Sequence, residues 1–214
     1  MLHSENPTIA PYAHPGEVHL RISAGADSEP EAEALLDPFE VRIREILGNA
    51  IYATGDTTLE AHVLDMLRQR GQTLAVAESC TGGGLGSRIT NAPGSSNVFL
   101  GGVISYSNEI KERILGVHPG TLLEYGAVSE QCAKEMAEGA RGVIGSDWAL
   151  SVTGVAGPGG GSEKKPVGLV YLGCAGPSGT AVEENKFRGS RESIRVRSVQ
   201  MALVLLRNCL LKNV

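Results

Sequence analysis

Aromatic side chains are scarce in this chain of 214 residues, which holds one Trp, five Tyr and three Phe, so its core must rest on aliphatic packing. It has no uncharged apolar run of about 18 residues and no apolar stretch behind a basic start, which argues against a membrane span and a signal peptide. Its four cysteines, Cys80, Cys132, Cys174 and Cys209, are widely spaced and form no Cys-x-x-Cys pair. Neither a zinc site nor a disulfide framework is expected, and the thiols fit a reducing cytoplasm. The five histidines, His3, His14, His19, His62 and His118, stand outside any motif-like turn, so a Ser-His-Asp triad is not written here. Gly-x-Ser-x-Gly is also missing, as is the Gly-Lys-Ser/Thr ending of a Walker A loop. A net charge of −5 and a pI near 5.6 argue against general nucleic-acid binding and leave room only for a local basic pocket for one phosphate.

What is present begins at Leu74-Ala75-Val76-Ala77, a short buried strand, followed by Glu78-Ser79-Cys80-Thr81-Gly82-Gly83-Gly84 and then helical spacing at Leu85 and Ile89. At such a junction the first N–H groups of a helix lack partners and the helix dipole is positive, so an anion or developing oxyanion can be held. A capping role for Ser79 or Thr81 is the competing reading.

Three further stretches follow in order: Gly101-Gly102-Val103-Ile104-Ser105-Tyr106-Ser107-Asn108-Glu109-Ile110-Lys111, then Gly126-Ala127-Val128-Ser129-Glu130, then Val152 to Gly168 with Gly154, Gly157, Gly159, Gly160 and Gly161. Together with the first they resemble the C-terminal domain of the CinA family, from about Thr57 to the C-terminus. The resemblance implies an amidohydrolase that converts nicotinamide mononucleotide to nicotinic acid mononucleotide and ammonia. Residues before it resemble the end of the KH-type subdomain that precedes the amidase domain in full-length CinA proteins. The short polar start then reads as a truncation or a shortened homologue, without the nucleotide-processing domain that usually comes first.

The domains expected are residues 1–52, a partial KH-type segment with linker, and 53–214, the amidase domain. In the first, Met1 to Pro15 reads as irregular, Gly16–Ser23 as a half-buried strand and Pro30–Leu47 as an amphipathic helix ending at Gly48-Asn49. In the second, Thr57 with Glu60 reads as a capping box for a helix ending at Gly71. Strand Leu74–Ala77, helix Gly83–Thr90, strand Phe99–Tyr106, helix Asn108–Leu115, a turn from Pro119 to Gly126, helix Ser129–Ile144 and strand Trp148–Thr153 follow. A glycine loop, strands Gly168–Ala175 and Ala181–Phe187 and helix Glu192–Leu211 close the chain. This alternation predicts an α/β fold, a three-layer α/β/α domain with a largely parallel mixed sheet, preceded by a small α+β segment.

With no histidine available, Lys111 is the candidate base for Ser79, because parallel strands bring its helix start beside the Ser79 junction. Such a base works only when burial or a nearby cation lowers its pKa. A solvated lysine paired with Glu109 or Glu112 is the bland alternative. Tyr106 is a candidate to bond Ser79 or the leaving ammonia, or else a strand-end aromatic in water; Asn108 either touches substrate or caps its helix. N–H groups near Thr81, Gly82 and Gly83 are candidates for the oxyanion, and Thr153, Gly154 and Gly157 for a second wall around the substrate. Arg191 and Arg195, one turn apart at the start of the last helix, are candidates for a phosphate clamp, with surface arginines as the alternative.

Cys80 is a weaker nucleophile candidate, having no base to make its thiolate. Ser162 and Lys165 match Ser-x-x-Lys by chance, since Pro166 forbids a helix there; Gly94-Ser95-Ser96 is similar to the serine stretch of the much longer amidase-signature enzymes. The expected mechanism needs no metal or organic cofactor. The expected partner is the small-molecule substrate, with a homodimer formed through the apolar last helix at Val199, Leu203, Leu206 and Leu210. The rival reading is a catalytically idle nucleotide-binding or protein-interaction module, which has no need to keep Ser79 with Lys111.

Overall fold

A computed structural model describes residues 5–14 and 16–212. The chain divides into two compact units, Met1–Asp56 and Thr57–Val214. In the first, β1 (Thr8–His14) and β2 (Glu17–Ser23) form an antiparallel ribbon, followed by α1 (Glu29–Leu47). Strand β1 runs where irregular chain was expected. Pro11, opposite Leu20, is tolerated because a two-stranded ribbon consists only of edge strands, where a missing N–H breaks no central ladder. Residues 1–4 and Pro15, part of the expected irregular start, lie outside the described residues.

The second unit carries α2 (Leu59–Gln69), β3 (Leu74–Glu78), α3 (Gly84–Thr90), β4 (Phe99–Ile104), α4 (Asn108–Leu115), α5 (Pro119–Glu124), α6 (Glu130–Ile144), β5 (Trp148–Gly154), β6 (Leu169–Gly176), β7 (Gly179–Lys186) and α7 (Arg191–Lys212). The sheet order is β4-β3-β5-β6-β7, with β3 parallel to both β4 and β5, and with β6 antiparallel to its two neighbours. Four of the five strands therefore point the same way, the largely parallel mixed sheet that the alternating pattern predicts. Helix α6 packs on β3, β5 and β6 with α4 beside it, while α7, α2 and α3 build the other layer. From β3 the chain steps outward to β4 through α3, then crosses back over β3 to β5 through α4 to α6. Right-handed crossovers in opposite directions put these helices on opposite faces, and a crevice opens at the carboxyl end of β3.

Strand β3 is buried along its whole length, as expected for a central strand covered on both faces. Helix α4 approaches α6 so closely that a Cβ at Gly139 would stand 1.8 Å from the Leu115 carbonyl oxygen.

Two local readings change. The cap of α2 is Thr58, whose hydroxyl accepts from the Ala61 N–H at 3.3 Å, and Glu60 instead pairs with Arg88 at 3.0 Å. The segment after Pro119 is the helix α5: proline suits the first helical position, and His118 Nδ1 caps it by accepting from the Gly120 N–H at 3.0 Å. The face of α7 expected to dimerise is already covered within the unit, with Val199 6% exposed and Leu203, Leu206 and Leu210 fully buried. No helix among the described residues is long and apolar enough to cross a membrane.

Candidate active site

Register places Glu78 opposite Ile104 on one side and Val152 on the other, so the chain leaves β3 and β4 at one level while β5 runs on to Gly154. Ser79 follows β3, its N–H bonded to the Val152 carbonyl at 2.9 Å. From β4 the chain passes through Ser105 and Tyr106 to Ser107, whose hydroxyl caps α4 by accepting from the Ile110 N–H at 3.3 Å. Capping thus falls to Ser107, and Asn108 is the exposed first residue of the helix.

One turn later, Lys111 points inward with 1% exposure. Its Nζ lies 3.1 Å from Ser79 Oγ, 2.6 Å from the Ser105 carbonyl oxygen and 3.5 Å from that of Tyr106. The solvated alternative does not hold, because Glu109 pairs with Arg113 at 2.7 Å. Burial is the largest influence on Lys111 and lowers its pKa, while Cys132 and Cys80 act the other way. A neutral amine fits this environment: its two N–H groups satisfy the two carbonyls, leaving the lone pair to face the Ser79 hydroxyl. Cys80 is pushed up to about 11 by burial and so stays a thiol.

The expected oxyanion donors are rearranged. Glu78, absent from the sequence-based candidates, accepts hydrogen bonds from the N–H groups of Gly83 at 3.0 Å, Leu85 at 3.0 Å and Gly86 at 2.8 Å. The Gly82 N–H donates to the Ser79 carbonyl at 3.1 Å. Gly82 and Gly83 therefore have no amide to spare. Among the described residues the Thr81 amide is left without an acceptor and the Cys80 amide faces no acceptor but its own sulfur, while the Thr81 hydroxyl is buried and unpartnered. Gly83 takes φ 94°, a conformation that favours glycine and turns the chain into α3.

Both arginines reach this region. Arg195 Nη2 donates to the Thr81 carbonyl at 2.6 Å. Arg191 Nη1 donates to the Gly157 carbonyl at 2.8 Å, and its Nη2 donates to the Tyr106 hydroxyl at 3.2 Å. Among the described residues neither guanidinium has a carboxylate partner. Tyr106 is 62% exposed, and its hydroxyl faces Arg191 rather than Ser79. Thr153 and Gly154 have scaffolding contacts: the Thr153 hydroxyl is spent on the Ala127 carbonyl at 2.6 Å, and a Cβ at Gly154 would meet the Leu169 carbonyl oxygen at 2.7 Å.

Residues 56–210 match the CinA C-terminal domain and residues 1–53 the damage-inducible protein CinA KH domain. The chain belongs to the CinA family. A CinA-like protein of Synechococcus sp. (strain RCC307) is 54% identical over 210 residues, covering 97% of this chain and 50% of the relative. The chain spans about half the length of the curated relatives it matches. Among crystal structures, a competence/damage inducible protein of Agrobacterium tumefaciens is 36% identical with a TM-score of 0.66, over 73% of this chain and 98% of that one. A CinA superfamily protein from Klebsiella pneumoniae is 32% identical with a TM-score of 0.70, over 72% and 96%.

Proposed function

We propose that this CinA-family chain is a serine amidohydrolase that converts nicotinamide mononucleotide to nicotinic acid mononucleotide and ammonia. The observation that carries the reading is the contact of a buried, uncompensated Lys111 Nζ with Ser79 Oγ at 3.1 Å. A module that only bound nucleotides would gain nothing from burying that amine, since an unpaired buried cation is costly.

In the mechanism, Ser79 Oγ attacks the carboxamide carbon while Lys111 takes its proton, and the Cys80 and Thr81 amides receive the negative oxygen. Collapse breaks the C–N bond, and Lys111 returns the proton to the departing nitrogen, releasing ammonia. Water then attacks the acyl-serine, giving up a proton to Lys111 that returns to Ser79 as the acid departs. Arg191 and Arg195 supply the positive charge for the substrate phosphate, Arg195 while also holding the Thr81 carbonyl. Thr153 and Gly154 support the wall instead of touching substrate; Gly157 does so through the carbonyl that anchors Arg191. Tyr106 orients Arg191 through its hydroxyl and is not the proton donor to ammonia. A cytoplasmic setting suits four unpaired thiols.

Ammonia release from nicotinamide mononucleotide, nicotinamide riboside and free nicotinamide tests the substrate assignment. The mononucleotide should be favoured in kcat/KM by about 10-fold or more over the riboside, the factor for one charged hydrogen bond. Equal use of all three would remove the phosphate from the reading.

A further inference from the structure

Glu78 ends β3, directly before Ser79, and is 1% exposed. A carboxylate there needs strong hydrogen bonding to offset lost hydration. It has that from Gly83, Leu85 and Gly86, which open α3. The N-cap residue, Gly83, has no side chain to cap the helix, so Glu78 caps it from the strand. The chain thus neutralises the positive end of α3 with its own anion, and that end is not offered to substrate.

The consequence lies in the loop between. Ser79 is held at its N–H by Val152, the Thr81 carbonyl by Arg195 and the Gly83 N–H by Glu78. These three tethers hold the peptide planes on either side of the two that carry the Cys80 and Thr81 amides, and the Gly82 N–H holds the Ser79 carbonyl, which shares its plane with the Cys80 amide. The Lys111 amine depends on other contacts, to the Ser105 and Tyr106 carbonyls. We infer that Glu78 is a positioning residue: by holding the start of α3 it aims the Cys80 and Thr81 amides at the developing oxyanion, and so governs turnover without touching substrate. This rests on reading Ser79 as the nucleophile.

Glu78→Gln keeps the size of the side chain but turns an NH2 group toward N–H donors, so at least one bond is lost and the loop loosens. A fluorophosphonate probe reads the effect independently of the natural substrate. Ser79 Oγ forms a bond to phosphorus, fluoride leaves, the serine proton passes to Lys111, and the phosphoryl oxygen takes the oxyanion position. Phosphonylation of Glu78→Gln should be slower by about 10- to 100-fold, the scale for a small misplacement of catalytic groups. Its kcat for ammonia release should fall by a similar factor, with KM within about threefold and the midpoint of the pH–rate profile unchanged. If Glu78→Gln does not fold, Glu78→Asp gives the same comparison with the charge retained and its reach shortened. A variant with a lower Tm but parental phosphonylation rate and kcat would overturn the inference and leave Glu78 a purely structural cap. Failure of the parent to react would remove the nucleophile reading and this inference together; a reactive parent with an equally reactive Glu78 variant removes the inference alone.

Discussion

A lysine that is 1% exposed with no carboxylate beside it is destabilised as a cation, and the proposed chemistry requires that it be neutral. Because its folded pKa lies below 10.5, the unfolded chain holds the extra proton between the two values, and stability rises with pH across that window. Cys80 and Cys132 act oppositely: each is raised from 9.0 to about 11, so above pH 9.0 the folded state holds protons that the unfolded state releases, and stability falls. Lys111→Met should therefore raise Tm at neutral pH and flatten the rise in stability toward pH 9, while abolishing ammonia release; thermal melts across pH check this. Lys111→Arg should also be inactive, because a guanidinium does not give up its proton to become a base. In the parent, kcat/KM should rise with pH to a plateau through a pKa below 10.5. At the phosphate end, Arg191→Ala should weaken mononucleotide binding by ~1.5–3 kcal/mol and barely alter riboside turnover. Arg195→Ala should impair both substrates, because Arg195 also holds the Thr81 carbonyl, and steady-state kinetics on the pair separates the two roles.

At the scale of elements, the approach of α4 to α6 keeps Lys111 under cover. Gly139→Ala would drive a methyl group into the Leu115 carbonyl, so it should cost about 1–3 kcal/mol or more in denaturant unfolding and lower activity through α4. The long, strongly patterned elements were legible in the sequence because burial writes itself as period: the Leu74–Ala77 run, the Glu130–Ile144 face and the β6–β7 hairpin stand where expected. Strand β1 and helix α5 were not, because proline signals a break locally while an edge strand or a first helical turn accepts it. In the site, Ser79 and Lys111 were legible because Ser79 follows one parallel strand and Lys111 lies one turn into the helix that follows its neighbour. Glu78 was missed since an acid after an apolar run reads as the end of the strand, and only the fold shows its carboxylate reaching up to eight residues forward. The same carboxylate engages the amide of Gly83, and the Ser79 carbonyl engages that of Gly82, so neither of these residues, legible as anion binders, offers its N–H to an anion.

At the scale of the whole molecule, the two compact units correspond closely to the two matched family domains. The larger contains Ser79, Lys111, Arg191, Arg195 and the glycine segments, so residues 57–214 expressed alone should fold cooperatively and keep a kcat within about threefold of the parent. Matched crystal structures that are covered almost completely by about 73% of this chain agree with an independent unit of that size. Under the proposed function, this unit's Ser79 and Lys111 carry out hydrolysis of the carboxamide of nicotinamide mononucleotide. It is tested most directly by ammonia release from that substrate by the parent and by Ser79→Ala, after circular dichroism has shown both folded. The parent should release ammonia steadily with nicotinic acid mononucleotide formed in equal amount, and the variant should lose about a thousandfold or more, the scale for removing a covalent nucleophile. An inert parent, or a Ser79→Ala variant within about threefold of an active one, would contradict it.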